Sequence, residues 1–280
     1  MSARTVACVL LFVAAAAMAG AQPRPIETED AATVPAGTVR VTAGVSRLAR
    51  QPYPVSGLTG TLWRVPEAGV TVGLGPVAEF QVYGGWDALR IDARRTAPLS
   101  ELVTAVGEST SDVADVVLAT KIALRRESSG GPAVAVRVAT KLPNAGNESG
   151  LGTDTTDVYG SLHLSQQLER LRVTGALGLG ILGDPTDGQR QNDVTTYGVS
   201  AIVQAVRSLS VVADLSGRTS TRAHGAFPGT ESRRRLTGGL RVVRGAWQLD
   251  LAAIHGLTTT EPLTGVTAGI TWQRQASPRP

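Results

Sequence analysis

The chain has 280 residues, with 27 Lys+Arg against 23 Asp+Glu for a formal net charge of +4, and only 18% of its residues are charged. A disordered chain needs high charge and few β-branched residues, so that class is excluded. Glycine is abundant at 32 residues, and a chain rich in Gly, Thr and Val is poorly suited to helix interiors, which points to a β architecture rather than a helical bundle.

The N-terminal residues read as a secretory signal: Arg4 supplies a positive start, 6–18 form a short apolar run, and Ala19-Gly20-Ala21 matches a small-residue cleavage site. The expected organisation is a signal peptide over 1–21, a periplasmic N-terminal segment over 22–36, a barrel over 37–275 and a short tail over 276–280. Cys8 is the single cysteine and lies inside the removed segment. The mature chain then has no disulfide and no thiolate-bound metal. Beyond residue 21 no apolar run approaches the roughly 18 residues that a membrane helix needs. The protein therefore either crosses a membrane as strands or is a soluble periplasmic β-domain.

From Gly37 onward the dominant signal is alternation with period two. It is clearest in the last segment, where Val266, Ala268, Ile270 and Trp272 alternate with Thr267, Gly269 and Thr271. In chain order the segments are 37–46, 58–74, 77–90, 113–126, 132–142 and 157–167, followed by 171–182, 193–206, 209–219, 232–244, 246–258 and 262–274. In 58–74 the apolar parity shifts between Trp63/Val65 and Val70/Val72, across Pro66, which a β-bulge explains. Only 102–114 has a helical look. The connections alternate long (47–57, 91–112, 143–156, 183–192, 220–231) and short (75–76, 127–131, 168–170, 207–208, 245–246), with a medium one at 259–261. Such alternation is expected of a transmembrane antiparallel up-and-down barrel of about twelve strands, with short periplasmic turns and longer external loops. The host would be a Gram-negative cell and the location its outer membrane. Trp247 and Trp272 fall at the periplasmic ends of their segments, and Trp63, Trp86 and Tyr197 toward the external ends, as interfacial aromatics do.

With the apolar parity toward lipid, the opposite parity lines the lumen. There the expected lumen-lining and binding residues are Arg40, Glu79, Lys121, Arg137, Lys141, Arg172, Asp214 and Arg241. Gln81, Asp87, Arg125, Arg218, Arg235, Gln248 and Asp250 share the same face. Charges cannot face hydrocarbon, so they face water or each other. Glu79 and Asp214 are the expected ion partners, and the surplus of cations predicts a field that favours anions. Twelve strands lie between a barrel filled by side chains and an open sixteen-stranded porin, so a narrow or partly blocked pore is expected.

The catalytic inventory is poor. His163, His224 and His255 have no metal-ligand spacing, and neither a metal nor a cofactor is expected. His163 shares the inner parity with Ser161 and Ser165, but a barrel lipase would need this pair facing lipid, so no enzymatic activity is expected. The acidic stretch 154–157 reads as a solvated loop rather than a cation site. Arg233-Arg234-Arg235 opens a strand beside an external loop, where contact with anionic lipid headgroups or lipopolysaccharide is the expectation. The basic residues follow strand alternation rather than gathering on a patch, so nucleic acid is excluded as a partner.

Three stretches carry a family resemblance. Ile26-Glu27-Thr28-Glu29-Asp30 with Val34-Pro35-Ala36-Gly37 is one. The second is Asp115-Val116 and Lys121 before 132–138, and the third is Lys141-Leu142-Pro143-Asn144 before Gly150-Leu151-Gly152-Thr153-Asp154. Together they resemble a family of outer-membrane proteins assigned to transport in the meta-degradation pathway of phenol. The chain departs from it at Glu29-Asp30, where an Asp-Arg-Pro-Asp run is common, and at Asn144-Ala145, which replaces Thr-Gly. The resemblance implies an outer-membrane barrel for passive diffusion of small solutes, aromatic or hydrophobic, and transfers no functional residue. The reading from residues adds anionic solutes and a monomer, and it leaves open a structural or interaction barrel with no through-pore.

Overall fold

The computed structural model describes residues 25–128, 131–222 and 225–275. The signal peptide, His224 and the tail over 276–280 lie outside the described residues. Within them the chain forms β1 (Thr38–Tyr53), β2 (Leu58–Gly73), β3 (Ala78–Arg94), β4 (Ser109–Val113), β5 (Val117–Arg125) and β6 (Ala133–Lys141). There follow β7 (Asp157–Leu168), β8 (Leu171–Gly183), β9 (Gln191–Val206), β10 (Leu209–Ser220), β11 (Arg233–Arg244), β12 (Trp247–Gly256) and β13 (Thr264–Gln275). Both β4 and β5 pair with β3, at successive heights, so they form one interrupted stave. All other neighbours pair antiparallel in chain order, and β1 pairs with β13, which closes a twelve-stave barrel. Closure leaves no strand edge, as a sheet in hydrocarbon requires.

The barrel is inside out relative to a soluble fold. On the outer face Leu240, Leu249 and Ile270 are 40–51% exposed, while Thr71, Glu79, Gln81 and Asp214 on the inner face are at most 2% exposed. Trp247 and Trp272 face each other across β12 and β13 at the periplasmic end, their rings 6.4 Å apart. From Gly73 back to Trp63, at about 3.3 Å per residue and a tilt of about 40°, the strand climbs roughly 25 Å, the height of the lipid band. There the guanidinium of Arg47 sits 5.9 Å from the Trp63 ring centre, and Arg234 donates to the Tyr197 hydroxyl at 3.0 Å.

Three expectations need correction. The first external connection is not long: β1 runs on to Tyr53 and turns over 54–57. Register shifts between Gly44 and Ser46 and between Leu48 and Gln51 break the simple alternation, so the strand reads as ending early. The helical look of 102–114 resolves into a single 3-10 turn at Ser100–Leu102 and then β4. The segment before β1 is not a periplasmic appendage to the barrel, because residues 26–35 run inside it. The bulge expected in β2 is present, between Arg64 and Glu67.

Near the external end the inner face turns apolar. Leu48, Leu58, Leu62, Leu89 and Ile254 cluster there, with Tyr53, Val103 and Leu151 packed against them. Leu151 and Val103 come from the loops after β6 and β3, so this cluster ties the loops down over the mouth.

Candidate functional site

The N-terminal segment enters the lumen from the periplasmic end, where Gly73 lacks the side chain that would strike the Pro35 carbonyl at 2.1 Å. It then climbs the interior, and the wall satisfies its backbone and charges one by one. The amide of Val34 donates to Glu79 Oε2 at 2.6 Å and that of Ala31 to Ser165 Oγ at 2.8 Å. The amides of Thr28 and Glu27 donate to the two oxygens of Asp214 at 3.2 and 3.3 Å. A β-carbon on Gly198 would lie 2.3 Å from Thr28 Oγ1, so the bare glycine lets the segment touch the wall.

Three plug carboxylates answer the wall cations. Asp30 takes Arg172, with Nη2 at 2.8 Å, and Arg172 also reaches Glu127 at 2.9 Å. Glu29 takes Arg137 at 3.0 Å, Lys121 at 3.4 Å and the Gln81 amide at 2.9 Å. Burial works to raise the Glu29 carboxyl, but Arg137 and Lys121 outweigh it and hold it down at about 2. Glu27 meets Arg235 at 2.5 Å and Ser216 Oγ at 3.0 Å. His163 braces the same segment: one ring nitrogen lies 3.0 Å from the Glu29 carbonyl oxygen and the other 2.8 Å from Ser161 Oγ. With Nδ1 donating to that carbonyl, Nε2 accepts from the serine, so the ring serves as a bracket for the plug.

The plug gathers Glu79, Lys121, Arg137, Arg172 and Asp214 of the expected set into one network, with Lys121 also 2.8 Å from Glu79. The other three have partners on the wall itself. Arg40 donates to Gln273 Oε1 at 2.8 Å, Arg241 pairs with Asp250 at 2.7 Å, and Lys141 pairs with Asp115 and Asp157 at 3.0 and 3.2 Å. Glu79 does take an ion partner, whereas Asp214 receives backbone amides instead. The surplus of positive charge expected from the wall is largely met by Glu27, Glu29 and Asp30, which strand parity does not count because they lie in no strand. Arg125, assigned to the inner face, is exposed at the periplasmic end of β5.

Above the plug lies a chamber of about 440 Å³, roofed by the external loops and lined by Tyr53, Tyr83 and Tyr159 with Arg64, Asp87, Arg218 and Arg233. A second space of about 350 Å³ adjoins it beside Glu27, Ser161 and His163, and shares Arg218, Arg233 and Arg235 with it. Sequence reading missed Arg64 and the tyrosines as chamber residues. Arg64 lies on the inner parity of β2, pairing with Asp87 at 2.6 Å, and was hidden by the parity shift at the bulge. No cluster of three potential metal ligands occurs among the described residues.

A family profile described as "Putative MetA-pathway of phenol degradation" matches residues 23–274. No curated protein matches by sequence. Among solved structures, the COG4313 outer membrane channel from Pseudomonas putida F1 is similar with a TM-score of 0.60 at 14% identity, covering 88% of this chain and 98% of that one. The NanC porin is similar with a TM-score of 0.51 at 9% identity, covering 84% of this chain and 98% of that one. At such identities the likeness is one of fold, and it is the fold of outer-membrane barrels. The profile spans nearly the whole described chain, plug included, and this outer-membrane β-barrel belongs to the phenol-degradation MetA-pathway family.

Proposed function

We propose that the protein is a passive channel for small solutes whose conduction is limited by its own N-terminal segment. The observation that carries this reading is the match of charge and hydrogen bonding between residues 27–34 and the inner wall, which fills the lower lumen with a piece of chain that belongs to no strand. A solute enters the chamber from the external side, and passage beyond it requires the segment to shift. The Pseudomonas putida neighbour is described as a channel, which supports this use of the fold. The protein carries out no reaction in this reading; the Ser161–His163 pair faces the plug and holds it in place. It works as a monomer, with outer-leaflet lipopolysaccharide contacting Arg47/Trp63 and Arg234/Tyr197 on the outer face.

Deletion of residues 22–36 from the mature chain tests it in planar bilayers. The expected result is a severalfold rise in single-channel conductance over the full-length protein. Equal conductance would remove the segment as the limiting element, and a barrel that inserts but never conducts in either form would favour a structural role.

A further inference from the structure

Two interior arginines do not follow the rule that governs the rest of the wall. Arg64, Lys121, Arg137, Lys141, Arg172 and Arg241 each make an ion pair with a carboxylate. Arg218 and Arg233 make none among the described residues, which include every Asp and Glu of the chain. They are also register partners on β10 and β11, directly across from each other. Like charges placed so are destabilising, and here they sit inside the barrel, where water screens them poorly.

Their hydrogen bonds deepen the contrast. Arg218 is fixed by two carbonyls of the loop before β11, donating from Nε to Glu231 at 2.9 Å and from Nη2 to Gly229 at 2.6 Å. The Nε of Arg233 is buried and has no partner, and Glu231 Oε2 is likewise buried without one. Both guanidiniums line the chamber and the adjoining space, so together they stand at the junction of the two cavities. Two guanidiniums on facing strands, one of them clamped and neither paired with a carboxylate of the chain, therefore border the same enclosed space.

We infer that Arg218 and Arg233 bind the carboxylate of a small organic anion whose body lies in the chamber. Guanidinium donors match the planar, two-oxygen geometry of a carboxylate. The chamber wall beyond them supplies Tyr53, Tyr83 and Tyr159 together with Pro54, surfaces suited to a flat apolar body. Its 440 Å³ falls in the lower part of the usual range for ligand pockets. The site gives the proposed channel its solute class, and in that sense rests on the channel reading, although binding is measured without any conduction.

The test uses purified full-length mature protein in detergent, with its fold checked by heat-modifiable migration. Binding of benzoate, benzyl alcohol and inorganic phosphate is measured by calorimetry. Benzoate is expected to bind at least tenfold more tightly than either of the others. Arg218→Gln and Arg233→Gln should each weaken benzoate about tenfold, as loss of a charge-assisted hydrogen bond does. Glu231→Gln should strengthen it by removing a neighbouring carboxylate, and Arg47→Gln on the outer face should leave it unchanged. Should the Gln variants fail to fold, Arg218→Lys and Arg233→Lys keep the charge but lose the fork, and a clear loss of benzoate binding is still expected. Unchanged benzoate affinity in the double variant, or equal affinity for benzyl alcohol, would overturn the site. Phosphate binding more tightly than benzoate would overturn the organic carboxylate as its ligand. A barrel that binds benzoate but does not conduct would sink the channel reading and leave this site standing.

Discussion

The lower lumen and the chamber above it are lined by the same residue types and behave in opposite ways. Around Lys121, Arg137 and Arg172 the positive charges are matched by Glu29, Glu79 and Asp30, so that region is a closed electrostatic joint. Around Arg218 and Arg233 the guanidiniums face each other and an open space. Burying a charge is tolerable only when a partner comes with it, and removing one partner exposes the full cost. The difference teaches that density of charge on a barrel wall does not by itself mark a binding site. What marks it is charge that the chain leaves unanswered.

The contrast can be broken most forcefully at Lys121. Replacing Lys121 with Met leaves Glu29 and Glu79 buried without their ammonium partner and should cost about 3–5 kcal/mol of barrel stability. Urea unfolding in detergent, followed by the loss of heat-modifiable migration, reads this directly. Arg218→Met, which removes a cation with no ion pair, should cost far less in the same assay. Equal losses would erase the distinction between the two regions. A smaller perturbation is Gly198→Val, whose β-carbon would strike Thr28 Oγ1. It is expected to dislodge the head of the plug and raise conductance while the strands stay paired. Conductance indistinguishable from the parent protein would mean that this close approach does not hold the plug.

The smallest effect is on pH dependence. The Glu29 carboxyl is held down at about 2 against an ordinary 4.5. For a carboxyl so lowered, the stabilisation is complete above 4.5 and fades as the pH falls toward about 2. Conductance of the full-length protein should therefore stay flat between pH 8 and pH 5 and rise only in strongly acidic buffer. A rise near pH 6 would assign control of the plug to some other group.

Much of the wall is legible in the order of residues. Alternation alone locates the strands at Leu171–Gly183, Leu209–Ser220 and Arg233–Arg244 to within a residue or two, because a sheet with lipid on one face and a polar lumen on the other demands period two. The upper part of β1 escapes, since bulges at Gly44/Ser46 and Leu48/Gln51 break the parity on which the reading depends. The candidate site is legible by half. Parity puts Arg137 and Arg218 on one inner face, but nothing local to either residue separates the cation that has a partner from the one that does not.

The amino-acid sequence on its own determined which side chains face lipid, where most staves run and that the lumen is charged. These follow from local spacing and the cost of placing polar groups in hydrocarbon. Only the tertiary structure decided which charges meet. Glu29 finds Arg137 and Lys121, and Asp30 finds Arg172 more than a hundred residues away, because closing the barrel folds distant staves around one short acidic stretch of chain. Coulomb attraction depends on distance in space, and the chain order carries no record of it.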